Sequence, residues 1–238
     1  MTPLHIAASK GSVDVVHCLL SHRGFKPSLD VGIRSYEGTA LDIAIASGSL
    51  DVVDRLCRDE RVVLSETHVE LAITSKQAQV AVRLIESGKC NVNEFSPSSG
   101  LAPIHFAVLS GKSEIVDALV NVRETNVNAQ TRKNLRDVPM YSTPLTIAID
   151  KRLESIISLL LLSSTVDPNI GLPLKQAVEL GDAKTVKLLL QNRRLSPGES
   201  FSMSKALCDA METSERLAVV DALLEVDRSD VRSACSRV

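Results

Sequence analysis

The sequence predicts an all-α solenoid of about seven helix-turn-helix units, because three features recur in phase along the chain. A helix-starting box that begins at Thr2 returns at intervals close to a common period. An alanine follows each box start by five residues, and a glycine often follows it by nine. Paired aliphatic residues come thirteen and fourteen residues after most box starts. Each feature predicts one part of a unit, and their repetition predicts stacked copies.

The box marks the start of the first helix of each unit. Threonine is a favoured N-cap, because its hydroxyl accepts a hydrogen bond from a free N–H of the first turn. Proline suits the next position, where its missing N–H costs nothing and its fixed φ is helical. Matching boxes have Thr2, Pro3 and His5, then Pro103 and His105, then Thr143 and Pro144. Unit starts fall near residues 2, 39, 67, 102, 143, 172 and 205.

The rest of each unit predicts a turn and a second, antiparallel helix. The alanine allows close packing of the first helix, and the glycine supplies the positive φ that ends it. Aliphatic residues at i, i+1, i+4 and i+5, such as Ile115-Val116 with Leu119-Val120, form the buried stripe of the second helix. One helix pair cannot bury both of its faces, so the pattern requires stacking.

The segment TPLHIAASKGSVDVVHCLL resembles the ankyrin repeat, and the resemblance covers nearly the whole chain. It implies a repeat domain over residues 1–225 and leaves 226–238 as a polar tail. It also implies β-hairpin fingers, short or degenerate here, and a concave face of fingers and first helices that binds another protein. In this family the box histidine bonds to backbone groups of neighbouring loops. His5 and His105 are therefore expected to be structural.

Some units depart from the pattern. In the third, Thr67 and Glu70 are expected to form a capping box, and Lys76 replaces the glycine. Arg152 replaces the glycine in the fifth. The connection between units two and three is the shortest. Because Leu4 and Val15 look fully internal, we expect that the array continues beyond its first unit or is covered there.

Two connections are long, over about 21–38 and 126–142. Extra length in repeat proteins often lies on the binding face. Neutral drift in a surface loop is the alternative, because added loop length costs little entropy.

Composition argues against several functions. A formal net charge of −2 does not suit a general nucleic-acid binder, and no apolar run is long enough to insert into a membrane. The five cysteines stand singly, which predicts no metal site and a cytoplasmic or nuclear protein. No catalytic motif is present, so neither an enzyme nor a cofactor is expected. Cys18 and Cys57 are expected to be small buried residues, and His17, His22 and His68 surface or loop residues.

The few aromatic residues indicate where a partner binds. Tyr36, Phe95 and Tyr141 precede boxes and fall in finger segments, and tyrosine is enriched at interface hot spots. The alternative is that they pack finger bases together. The hypothesised partner-binding residues are Tyr36, Glu37, Phe95, Arg132, Lys133, Arg136, Met140 and Tyr141. An aromatic anchor among cations suits an acidic or phosphorylated peptide.

Two other functions stay open at this stage. One is a receptor for a small phosphorylated ligand or an oligonucleotide, which would use Arg132, Lys133, Arg136, Lys151 and Arg152. The other is a targeting segment of a larger signalling protein or enzyme.

Overall fold

The computed structural model describes residues 1–22, 38–195 and 217–224. Its helices are α1 Pro3–Ser9, α2 Val13–Ser21, α3 Ala40–Ser47, α4 Leu50–Cys57, α5 Glu66–Thr74, α6 Ala78–Glu86, α7 Pro103–Ser110, α8 Ser113–Asn121, α9 Pro144–Asp150, α10 Glu154–Leu162, α11 Pro173–Glu179 and α12 Ala183–Gln191. Residues 217–224 are also helical. No strand forms in these ranges, although an isolated antiparallel bridge pairs Leu135 with Val138. Over the same ranges, no helix combines the length and the apolar character that crossing a membrane requires.

The helices form repeated pairs within two compact parts, residues 1–125 and 126–238. In the first part, α1, α3, α5 and α7 pack in one row, while α2, α4, α6 and α8 pack in a second row. In the second part, α9 packs on α11 and α10 on α12. Within each part every first helix lies beside its own second helix, and successive first helices of that part pack on each other, which gives a two-layer stack.

The core lies between the two rows and follows the predicted stripe. The alanine that follows the predicted unit start by five residues is buried in every described first helix, at Ala7, Ala44, Ala72, Ala107, Ala148 and Ala177. Most of the paired aliphatic residues of the second helices are buried too, as at Val52-Val53 and Ile156-Ile157. Val15, on the second helix of the first pair, is an exception at 49% exposed, although its apolar character is that of a residue inside the stack. Its equivalent in a later pair, Ile115, is buried because α6 packs against α8.

In most of the described first helices the side chain of the third residue after the N-cap accepts a hydrogen bond from the N-cap backbone N–H. The N-cap backbone N–H of Thr2 donates to Nδ1 of His5 at 3.1 Å, and that of Ala102 donates to Nδ1 of His105 at 2.9 Å. Both histidines are completely buried. Their ring nitrogen accepts from a backbone group that would otherwise lack an intrahelical partner. This bond is structural, and it joins each histidine to the N-cap of its own helix.

Other residue types do the same work in other pairs. Thr39 N–H donates to Oδ2 of Asp42 at 2.8 Å, and Thr143 N–H donates to Oγ1 of Thr146 at 2.8 Å. Side chains of several types can thus supply the acceptor, although in α11 the third position is Lys175, which has none.

The predicted start of the third pair is wrong. α5 begins two residues early, with Ser65 as N-cap, and Ser65 N–H donates to Nδ1 of His68 at 3.0 Å. Thr67 lies within the helix, so it does not cap it with Glu70. His68 is not an isolated surface or loop residue either, because it is the capping histidine and its Nε2 lies 3.6 Å from Asp42. The core register is unchanged, since Val69 and Ala72 are buried as expected.

The turn between the two helices of a pair requires a left-handed residue. Gly11, Gly48, Gly111 and Gly181 have φ between +66° and +73°. Lys76 and Arg152 take the same conformation at φ +62° and +54°, so the predicted substitution of glycine at these positions is confirmed. A side chain there costs conformational energy that glycine avoids. Arg152 also makes a contact that glycine could not make, since its guanidinium donates to the carbonyl of Leu180 at 2.9 Å.

Asparagines tie successive connections together. The side-chain amides of Asn93, Asn128 and Asn169 donate to the carbonyls of Glu124, Thr165 and Arg194 at 2.6, 2.8 and 3.0 Å. In each case the residue two positions earlier accepts from the asparagine backbone N–H, which fixes the local turn. This series was not predicted from the sequence, although the spacing of the asparagines follows the repeat.

The connections differ in length as the sequence predicts, and residues 58–65 form the shortest. The longest one folds into a hairpin over residues 131–142. Thr131 N–H donates to the carbonyl of Ser142 at 3.0 Å, and Tyr141 N–H donates to the carbonyl of Thr131 at 2.9 Å. The hydroxyl of Thr131, which is 1% exposed, donates to the carbonyl of Pro139 at 2.7 Å and accepts from Ser142 N–H at 3.1 Å. This single buried hydroxyl thus holds both sides of the hairpin.

Some predictions concern residues outside the described ranges. These are the site residues Tyr36 and Glu37, the unit start near 205 and the polar tail over 226–238.

We predict that Thr146→Val lowers the free energy of unfolding by about 1–2 kcal/mol. Valine keeps the shape but leaves the buried Thr143 N–H without its acceptor. Urea denaturation measures the loss. Thr74→Val is the matched control, because the exposed Thr74 hydroxyl bonds only to carbonyls of its own helix. Equal losses in the two variants would contradict the capping role.

We also predict that Lys76→Gly is more stable than Lys76→Ala by about 1 kcal/mol. The reason is the left-handed conformation at φ +62°, which alanine cannot adopt cheaply. Ser87 has φ −62°, so there the order should reverse, with Ser87→Gly less stable than Ser87→Ala. Thermal melts of the four variants check this. The same order at both positions would refute it.

Thr131→Val should open the hairpin and expose its basic residues to trypsin. The expected result is faster cleavage after Arg132, Lys133 or Arg136, because both side-chain hydrogen bonds of Thr131 are lost. Limited proteolysis read by mass spectrometry gives the rates. Thr165→Val, an exposed change elsewhere, should leave them unaltered.

Candidate functional site

A groove lies beside the hairpin in the second compact part. Its wall is the hairpin segment 137–142, and its floor comes from α9 and α11 together with Gly171 and Leu172. The groove has a volume of about 350 Å³. Its size lies at the lower end of the range for ligand pockets, and its open form suits a chain segment.

The floor is built from equivalent positions of two successive first helices. α9 contributes Thr146, Ile147 and Asp150, and α11 contributes Lys175, Gln176 and Glu179. Counted from the N-caps Thr143 and Leu172, these are positions three, four and seven. Positions three, four and seven share one helical face, so each helix turns the same face to the groove. The groove is thus a product of the repeat.

Gly171 allows the two first helices to approach. It has φ +82°, and a Cβ placed on it would come within 2.9 Å of Cγ2 of Thr146. A larger residue would therefore strain the backbone and press on the floor of the groove.

Tyr141 is the exposed aromatic residue at this groove. Its side chain is 62% exposed, and it has φ +68°. Leu172, also on the lining, has φ +56° and is 43% exposed. Neither residue lies in the turn between the two helices of a pair, where Lys76 and Arg152 adopt the left-handed conformation. The hairpin and the bend before α11 therefore hold two bulky side chains in an unfavourable conformation beside one groove.

The charges on the lining are mostly negative. Asp137, Asp150 and Glu179 are acidic, and Lys175 is the one basic residue among those that line it. Lys175 pairs with Glu179 at 3.7 Å, and Lys151, outside the lining, pairs with Asp150 at 3.5 Å. Exposed pairs of this kind contribute roughly 0–1 kcal/mol, so they do not cancel the acidic character of the groove.

The predicted site residues divide between the groove and other places. Met140 and Tyr141 line it. Arg132, Lys133 and Arg136 are exposed on the hairpin but do not line the groove. Phe95 is half-buried in another connection, where its ring centroid lies 6.2 Å from that of His105. For Phe95 the contact fits the alternative interpretation, an aromatic residue that packs the base of a finger.

Sequence reasoning missed the acidic residues of the groove. Asp150 and Glu179 each lie two residues after the buried alanine of their helix, where the other described first helices carry Ser9, Ala46, Thr74 and Leu109. An alignment of the repeats at this one position would therefore have shown that, of the described first helices, only these two carry an acidic residue there.

A second, apolar groove lies in the first compact part, with a volume of about 480 Å³. Ile73, Phe106, Leu109 and Ile115 line it, together with Lys76 and Lys112.

The described cysteines differ from expectation. Cys18 is exposed, so its predicted burial is wrong. It lies two residues after the buried Val16, on the solvent side of α2. Cys57 is half-buried, and burial, reinforced by the nearby Asp54 carboxylate, raises the pKa of its thiol to about 11. The Cys57 thiol is thus protonated at neutral pH, which fits packing better than reactivity.

Comparisons with known proteins agree with this architecture. A family profile described as ankyrin repeats (3 copies) matches residues 1–66 and 69–171, which is more than half of the chain. The crystal structure of the human ASB11 ankyrin repeat domain superposes with a TM-score of 0.59 at 23% identity, covering 95% of this chain and 98% of that one.

The NAD-dependent deacetylase sir2B of Dictyostelium discoideum is 26% identical over 148 residues. The match covers 56% of this chain and 18% of the deacetylase, so the chain spans less than a fifth of that relative. The all-α repeat fold predicted from the sequence is confirmed, and the chain belongs to the ankyrin-repeat family.

Proposed function

We propose that this chain is a non-catalytic protein-interaction module that binds a partner through the groove between the hairpin 131–142 and the first helices α9 and α11. Ankyrin repeats generally mediate binding between proteins. The observation that carries the choice of this surface is Tyr141, an exposed aromatic side chain on an ordered hairpin at the edge of the groove. Exposed tyrosines beside concave surfaces are frequent anchors of protein interfaces.

The hairpin supports this proposal because it is ordered before any partner arrives. Its backbone hydrogen bonds and the buried Thr131 hydroxyl fix the wall of the groove. A preformed wall reduces the entropy lost on binding. Less of the free energy gained from contacts with the partner is then offset by the cost of ordering the hairpin.

The expectation of an acidic or phosphorylated partner stays a prediction. It rests on Arg132, Lys133 and Arg136, whose side chains lie outside the groove lining. A segment that contacted only the exposed hairpin would meet these cations, whereas a segment in the groove would meet carboxylates. The proposed location is the cytoplasm or the nucleus, which the singly placed cysteines support.

A second candidate function is the attachment of a larger enzyme to its partner. The observation that favours it is the similarity to the Dictyostelium deacetylase, of which the chain covers 18%. A transcript that joins these repeats to a catalytic region would support this version, and a transcript that encodes the repeats alone would contradict it.

The proposed function predicts that Tyr141→Ala reduces partner capture from a cell extract about tenfold or more, because truncation of a central aromatic anchor often costs at least 2 kcal/mol. Quantitative cross-linking mass spectrometry measures capture and maps the contacts. Leu162→Ala is the matched control, since it removes another exposed large apolar side chain, on α10 and outside the groove. If Tyr141→Ala and the unaltered chain capture the partner equally well, this groove is not the binding site.

A further inference from the structure

We propose that the occupant of the groove is an extended segment of a partner protein that carries arginine. This inference rests on the proposed function and adds the chemistry of the partner. It is carried by the groove itself, by the exposed ring of Tyr141 and by the charges that line the groove.

The shape of the groove suits an extended segment. A hairpin forms the wall on one side, and two successive first helices present their equivalent faces as the floor. Leu172, which is 43% exposed, contributes an apolar surface to that floor, and Gln176 contributes an amide that can both donate and accept. The partner's side chains can pack on the first, while its backbone can bond to the second.

The charge of the groove selects a cation. Three acidic residues, Asp137, Asp150 and Glu179, line the groove, together with one basic residue, Lys175. Within the described residues Asp137 has no ion pair, and the Asp150 carboxylate lies 3.5 Å from the exposed Lys151, while Glu179 lies 3.7 Å from the exposed Lys175. An arginine can bond a carboxylate through two parallel N–H groups, which the single ammonium of a lysine cannot do.

The ring of Tyr141 favours arginine over lysine. A guanidinium is planar and weakly hydrated, so it stacks on an aromatic face while its edge donates to carboxylates. Tyr141 and the carboxylates line the same groove, so one arginine side chain can meet both kinds of group. An acidic segment placed there would instead meet three like charges.

The first step of the test is a selection of displayed random dodecamer peptides on the full chain. We expect enriched peptides to contain arginine more often than lysine and rarely aspartate or glutamate. The strongest peptide is then synthesised in two forms, one with arginine and one with each arginine replaced by citrulline, a neutral analogue of similar shape. Fluorescence anisotropy should show about tenfold or greater weakening for the citrulline form.

The second step uses a groove variant and a matched control. Asp150→Asn combined with Glu179→Gln should weaken the arginine peptide about tenfold or more, since two of the facing carboxylates are lost. Glu86→Gln combined with Asp117→Asn removes the same two charges from exposed second-helix positions and should leave the affinity within about twofold. Circular dichroism melts check that each variant folds.

The outcomes separate this inference from the proposed function. Enriched peptides that are acidic or neutral, and whose binding Tyr141→Ala abolishes, would overturn the arginine assignment and leave the groove as the binding site. Arginine peptides that bind both double variants equally well would also overturn the assignment. Failure to enrich any peptide would contradict both the inference and the proposed function.

Discussion

The bond between the N-cap backbone N–H and a side chain of the same first turn recurs in most of the described first helices, and the close packing of those helices depends on it. A helix that starts inside a stack buries backbone N–H groups that have no intrahelical partner. His5, Asp42, His68, His105 and Thr146 each place one acceptor against the N-cap N–H of their own helix. Because this acceptor comes from within the same turn, neighbouring first helices can pack closely through their alanines.

The requirement of this bond is an acceptor, which explains how the residue type can change while the fold persists. Histidine, aspartate and threonine all satisfy it, and the third pair satisfies it from a helix that begins two residues early. The connections add a second set of bonds, in which asparagine amides reach the backbone of the next connection. Each of these asparagines thus bonds to its own turn through its backbone and to the next connection through its side chain. These bonds keep successive pairs in register although the connections differ in length.

The proposed binding groove draws its charge and its aromatic residue from positions that take no part in this bonding. On the first helices, the residue two after the buried alanine faces away from the core, and in α9 and α11 it is acidic. The longest connection folds into a hairpin over those two helices and exposes Tyr141 at the edge of the groove. The repeat therefore supplies a fixed floor, and variation in one connection and one helix position gives the groove its aromatic residue and its charge.

The sequence alone determined the fold class, the paired helices, the buried alanine and aliphatic positions and the left-handed turns at Lys76 and Arg152, because each follows from local geometry repeated in phase. It also indicated Tyr141. Tertiary structure decided which candidates share a surface: Tyr141 and Met140 line a groove with Asp150 and Glu179, while Arg132 and Arg136 do not, and Phe95 packs near His105. It also decided where α5 begins and that Cys18 and Val15 are exposed. The physical reason is that a repeat pattern fixes which face of a helix turns inward. Only the packing of neighbouring helices and the folded path of the hairpin determine what the outward face meets.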